Sequence, residues 1–137
     1  QLGGGSCGFV NSDQFNLNLD FDSARKIGAS LGSGAVLVLD EEHNMAEFVR
    51  GTAHFFAHES CGKCAPCREG TARVAELMDQ ICEGKDVEKN LELIAKLSRV
   101  MNNACFCPLG QGACNPIISA LNIFPEDFEA CKNRKEA

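Results

Sequence analysis

The sequence predicts an α+β fold: a short, strand-bearing N-terminal part followed by a small α-helical bundle. Three observations predict it. Phe15, Leu17 and Leu19 alternate with Gln14, Asn16, Asn18 and Asp20, the period-two pattern of a half-buried strand. Ala35-Val36-Leu37-Val38-Leu39 is a continuous apolar run of strand length. From Asn44 onward the apolar period becomes helical, with Met45, Phe48, Val49, Thr52, Phe55 and Phe56 on one face.

The elements follow in order. A helical turn is expected from Ser23, a usable N-cap, to Ser30, where Gly32-Ser33-Gly34 breaks it. Asp40-Glu41-Glu42 ends the second strand. Seven of the thirteen glycines fall in residues 1–42, which sets this part off from residues 43–137. A β-α-β piece of that size encloses little core on its own. The first long helix is expected to run to about His58. Val74, Leu77, Met78 and Ile81 mark a second, stopped by Gly84. Asp86 caps a third that carries Leu91, Ile94, Leu97 and Met101, with Glu92 and Lys96 paired at i, i+4. Asn115-Pro116 opens a fourth, Ile117 to Leu121, and Phe124-Pro125-Glu126 begins a last short turn.

At 137 residues, 45% hydrophobic and 23% charged, the chain has globular composition. No apolar run approaches a bilayer span, and no charged-then-apolar leader opens it. A net charge of −6 argues against sequence-independent nucleic-acid binding or an anionic-membrane role. The outlier is cysteine. Nine are present, an odd number, and three lie within seven residues, which points to metal chemistry in a reducing compartment.

Those three are Cys61, Cys64 and Cys67, spaced C-x2-C-x2-C on one short loop, which suits three corners of a cubane iron–sulfur cluster. Gly62 allows a tight turn, and Pro66 places Cys67 at a helix start. The free N–H groups there, with Lys63 and Arg68, favour thiolates and an anionic cluster. A single zinc ion is the rival, but structural zinc more often uses two separated cysteine pairs. Thr71 stands where a nearby fourth cysteine would be needed, so the fourth ligand comes from elsewhere. Cys82 lies beside an apolar stripe and reads as core. Cys105 and Cys107 share a loop, Asn102 to Gly112, that no period claims, and Cys114 precedes a helix. The turn Pro108-Leu109-Gly110 puts Cys107 modestly ahead of Cys105. Cys7 and Cys131 remain unassigned thiols.

Other features read as structural. Gly3 to Gly8 fits G-x-G-x-x-G, but loop and strand follow it instead of a helix. Gly32-Ser33-Gly34 precedes a strand, the wrong order for a phosphate loop. His54 and His58 share a helix face without an HExxH motif, and Glu59 reads as a solvated or capping carboxylate.

The segment His58-Glu59-Ser60-Cys61-Gly62-Lys63-Cys64-Ala65-Pro66-Cys67-Arg68-Glu69-Gly70 resembles the cluster motif of the NADH-binding flavoprotein (F) subunit of respiratory complex I. The same motif occurs in diaphorase subunits of NAD(P)-dependent hydrogenases and formate dehydrogenases. Gln1 to Gly8 is similar to the glycine-rich start of that family's soluble-ligand-binding β-grasp module, and Leu31 to Asp40 to its end. Phe106-Cys107-Pro108-Leu109-Gly110 resembles the segment that gives the fourth ligand. The resemblance implies a partial β-grasp over residues 1–42 and a helical cluster domain over 43–137. It implies one [4Fe-4S] cluster on Cys61, Cys64, Cys67 and Cys107, with FMN and NADH bound in an N-terminal part outside this chain. On that reading the chain is a C-terminal piece, inactive alone, of an NADH-oxidising enzyme. It relays electrons from reduced flavin toward a quinone-reducing complex, or serves a hydrogenase or formate dehydrogenase. A structural zinc or interaction domain is the reading from another class. The implied partners are the flavin domain and other iron–sulfur subunits, without nucleic acid or membrane insertion. The implied location is the cytoplasm or an organelle matrix, at the edge of a membrane complex.

Overall fold

The computed structural model describes residues 1–134. A 3-10 turn, Ser12–Gln14, precedes seven helices: α1 Phe21–Lys26, α2 Met45–Glu59, α3 Ala65–Cys82, α4 Val87–Ala104, α5 Pro108–Gly112, α6 Asn115–Ile123 and α7 Pro125–Lys132. Helices α2, α3 and α4 form because their apolar residues recur at helical spacing and meet in one core. Val49, Leu77, Met78, Ile81, Ile94, Ile117 and Phe128 are all buried there. Helix α3 packs on both α2 and α4, and α6 covers α2. None of the described helices is long and apolar enough to cross a membrane.

Local chemistry sets the helix ends. Asn44 caps α2, its Oδ1 accepting from the Glu47 N–H at 3.1 Å, while Asp127 of α7 accepts from the Met45 N–H at 2.7 Å. Gly84, at φ +81, closes α3. Its N–H donates to the Ile81 carbonyl at 3.0 Å and that of Lys85 to Gln80 at 2.8 Å, the paired bonds of a left-handed C-terminal cap.

The N-terminal part departs from expectation. No strand forms among the described residues; a single antiparallel bridge joins Leu2 to Val36. Around it the Gly3 N–H donates to Ala35 at 2.8 Å and the Leu37 N–H to Gln1 at 3.0 Å. The expected strand at Phe15 to Leu19 is turns, with Phe15 69% and Leu19 66% exposed. The run 35–39 is not buried either: Val38 is 79% exposed. A period-two pattern becomes a strand only when another strand takes its hydrogen bonds, and residues 1–3 alone supply two to three pairs. A partial β-grasp is therefore not shown among the described residues, and their fold is helical. What this part does contribute is Phe9, buried edge-on against Phe48 at 5.9 Å and Phe124 at 6.3 Å, with its N–H donating to Ser119 Oγ.

Helix boundaries shift for physical reasons. Asp20, not Ser23, caps α1, because its carboxylate accepts from the Ser23 N–H at 2.7 Å. Cys114 occupies the N-cap of α6, one residue before the expected Asn115. The unclaimed stretch contains α5, and the last turn is the full helix α7, anchored by Phe128 and Cys131.

Buried thiols make the fold sensitive to alkali. Burial pushes Cys82 up to about 12 and Cys114 up to about 11, from 9.0. Below about pH 9 folded and unfolded chains both hold these protons, and the contribution to stability is complete. Above it the unfolded chain ionises first, and stability falls until the folded thiols ionise. Melts of the cluster-free chain should drop between about pH 9 and 11, and less steeply in Cys114→Ala. A flat profile would contradict this.

Candidate metal centre

The loop between α2 and α3 is built to turn sharply. Ser60 leaves α2 in extended geometry, and Gly62 adopts φ +72, which a side chain rarely tolerates. An added Cβ there would meet only Arg68 Cδ at 3.8 Å, so conformation and not space calls for glycine. The Gly62 carbonyl accepts from Arg68 Nη1 at 2.7 Å, and Arg68 Nε donates to Glu69 at 2.8 Å. Arg68 thus clasps the loop from outside.

Cys64 is the N-cap of α3 and Cys67 lies in its first turn, with Pro66 between them. Both are buried, 7% and 5% exposed. The Cys64 sulfur accepts from the backbone N–H of Phe106 first and of Cys67 second, which draws its thiol below the ordinary range. The Phe106 bond joins this loop to the segment between α4 and α5. Cys67 Sγ lies 3.3 Å from Ser60 Oγ, and its carbonyl accepts from the buried Thr71 hydroxyl at 2.8 Å.

Across the site, Cys105 ends α4 and Cys107 precedes α5. Cys105 is buried beneath Gly110, whose added Cβ would lie 2.7 Å from its sulfur. Burial, then the nearby sulfurs of Cys64 and Cys67, pushes the Cys105 thiol up to about 11. Cys107 is exposed, as is Cys61. So the structure brings Cys64, Cys67, Cys105 and Cys107 into one neighbourhood, with Cys61 at the exposed end of the loop. Among the described residues, no three His, Cys, Asp or Glu side chains form a group suited to a single metal ion. The ligands of a cubane each bind a different iron and stand further apart than ligands sharing one ion.

The remaining thiols lie elsewhere. Cys114 is buried with its Sγ 4.0 Å from Met101 Sδ, and Cys82 and Cys131 face one another between α3 and α7. His54 pairs with Asp79 at 2.8 Å, and His58 and Glu59 pair on the surface. Sequence reasoning passed over Ser60 and the Phe106 amide, and read Gly110 only as part of a turn. Only proximity to the cysteines marked them, since their roles depend on contacts between distant segments.

Gly110 sits against the centre of this neighbourhood. A Cβ there would lie 2.7 Å from Cys105 Sγ and 3.0 Å from the Cβ atoms of both Cys105 and Cys67. Those Cβ atoms are fixed to backbone, so Gly110→Ala should cost about 1–3 kcal/mol. Gly70→Ala meets only the flexible end of Met101, its sulfur at 2.6 Å, and should cost less. Denaturant midpoints of the two variants measure the difference, and equal midpoints would overturn it.

The model of the NADH-ubiquinone oxidoreductase-F iron-sulfur binding region matches residues 47–131, more than half of the chain. The chain belongs to this family. Among its relatives are the NADP-reducing hydrogenase subunit HndC of Solidesulfovibrio fructosivorans, 34% identical over 130 residues, and the F-type subunit of the NADH-quinone oxidoreductase of Streptomyces coelicolor, 36% identical over 127 residues. The matches cover 95% and 93% of this chain but 26% and 28% of those proteins. An NAD+-reducing [NiFe]-hydrogenase in the H2-reduced state superposes with a TM-score of 0.85 at 31% identity, covering 99% of this chain and 23% of that one. The F-type iron–sulfur region thus spans about a quarter of the length of the proteins it matches.

Proposed function

We propose that Cys61, Cys64, Cys67 and Cys107 bind one [4Fe-4S] cluster and that the chain relays electrons within a longer NADH-oxidising subunit. The observation that carries this is the Phe106 N–H bond to the Cys64 sulfur. It holds the triplet loop against the 105–107 segment, as does the approach of Gly110 to both Cys67 and Cys105, which supports reading two sets of cysteines distant in sequence as one site. The donor set suits the cluster: soft sulfur ligands, two buried at the start of an 18-residue helix whose N-terminus favours negative charge. When bound, the cluster supplies one-electron transfer without substrate chemistry.

The chain's own residues fix that site. Arg68 and Gly62 shape the loop, the Phe106 and Cys67 amides stabilise charge on the Cys64 sulfur, and Ser60 reaches the Cys67 sulfur. Cys107 is preferred to Cys105 as the fourth ligand. It is exposed beside its turn, whereas Cys105 is enclosed under Gly110.

FMN and NADH belong, on this reading, to the part of the parent protein outside this chain. Residues 1–42 are assigned to an incomplete β-grasp module and 43–137 to the cluster domain. The exposed Phe15, Leu19, Val36 and Val38 line an apolar hollow of about 720 Å³, which suits contact with the rest of the parent protein. The acceptor is a quinone-reducing assembly or, as HndC and the hydrogenase structure equally support, a hydrogenase. The setting is peripheral, on the cytoplasmic or matrix side. Anaerobically reconstituted chain should be brown, absorb broadly in the visible and hold about four irons. A colourless chain holding one zinc would defeat the reading and favour a structural zinc domain.

A further inference from the structure

We propose that Ser60 is a positioning residue whose hydroxyl, as a hydrogen-bond donor to the Cys67 sulfur, raises the reduction potential of the cluster without binding it. The inference rests on the cluster assignment above and gives a residue outside the ligand set a task in the electron relay.

The contact joins two helices across the cysteine loop. Ser60 is the C-cap of α2, in extended geometry at φ −62 and ψ 122, and Cys67 lies in the first turn of α3. Ser60 Oγ stands 3.3 Å from Cys67 Sγ, with the serine half-buried and the cysteine 5% exposed. Two further bonds hold the serine in place. The Gly62 N–H donates to Ser60 Oγ at 3.4 Å, and the Gly62 carbonyl accepts from Arg68 Nη1 at 2.7 Å. Arg68 directly follows Cys67, so the loop closes on itself: Cys67 meets Ser60, Ser60 meets Gly62, and Gly62 meets the residue next to Cys67. The Thr71 hydroxyl takes the Cys67 carbonyl and leaves the sulfur to Ser60.

Chemistry sets the direction of the bond. A hydroxyl carries one proton to donate and lone pairs to accept with. The Gly62 N–H occupies a lone pair, and the proton stays available. With a free thiol at Cys67 either partner can donate. A sulfur bound to iron is a thiolate with no proton, so the serine is then the donor. Reduction adds negative charge to the cluster and its ligand sulfurs, and a hydrogen bond to that charge strengthens. The bond therefore favours the reduced form, and removing it should lower the potential.

The test is a spectroelectrochemical titration of the reconstituted chain and of its Ser60→Ala and Ser60→Thr variants. Iron analysis and electron–nuclear double resonance of the reduced samples in H2O and D2O accompany it. All three should hold four irons, as a [4Fe-4S] centre requires. Ser60→Ala should titrate at a lower potential and lose one exchangeable-proton coupling. Ser60→Thr, which keeps the hydroxyl, should restore most of the potential and the coupling. A merely structural serine would move neither the coupling nor the potential in this paired way. A Ser60→Ala potential or coupling equal to the parent's would overturn the proposal, as would threonine failing to restore them. Loss of iron in Ser60→Ala would also overturn it, by making the serine necessary to build the site instead of tuning it. A parent chain that binds no iron at all would sink the cluster assignment itself, and this inference with it.

Discussion

Replacing Cys107 with serine should abolish the cluster or convert it to a three-iron form, while Cys114→Ser keeps all four irons. Serine offers a harder oxygen donor on the same stem, and iron–sulfur clusters select soft thiolates. Cys107 stands in extended geometry, φ −140 and ψ 165, with Pro108 starting α5 immediately after it, and its side chain is exposed. Cys114 faces Met101 within the core, and burial pushes its thiol up to about 11. Ionising it as a ligand would require both moving it and removing its proton. Iron analysis with electron paramagnetic resonance on each reduced variant decides the matter. A normal four-iron signal in Cys107→Ser, together with its loss in Cys105→Ser, would move the assignment two residues upstream.

The part of the molecule legible in the sequence is the part governed by local rules. Helices α2, α3 and α4 follow from apolar residues at helical spacing, because Val49, Val74, Met78 and Ile94 need only one shared core to be buried. The triplet was legible because three donors on one loop have few other uses. Strands are different: Val36 and Val38 have strand-like neighbours in sequence, yet strand formation depends on hydrogen bonds from another segment, and residues 1–3 supply few. Helix α5 was hidden because five residues, two of them glycine, carry no period.

At the site the same division holds. Spacing singled out Cys61, Cys64 and Cys67 as the proposed ligands and left the fourth to be sought on a loop. It left Cys105 and Cys107 close together because both are cysteines two residues apart. Their difference lies in the Gly110 cradle and the Gln111 bond to the Cys105 carbonyl. Both are contacts across a turn that spacing does not encode. The Phe106 amide is still less visible, since any residue except proline supplies that donor.

Removing the cluster should loosen the bundle and not merely bleach it, with the holo chain melting roughly 10–20 °C above the apo chain. As the proposed ligands, Cys67 and Cys107 would close a loop around residues 68–106, which hold most of α3 and all of α4. By analogy with a disulfide of that loop length, the restriction of the unfolded chain is worth about 4 kcal/mol. The loss should be uneven. The α2–α3 contact is sealed by Val49, Leu77 and Met78, each fully buried and outside the two cysteine segments. The join between the triplet loop and the 105–110 segment rests on the Phe106 amide and the Gly110 contact. Amide exchange should therefore accelerate first at residues 61–67 and 105–111 in the apo chain, while amides in the middle of α3 stay protected. Anaerobic melts and exchange on matched holo and apo samples measure both effects. Coincident melts would show that the helices alone hold the fold, and that the cluster is cargo to a bundle already complete.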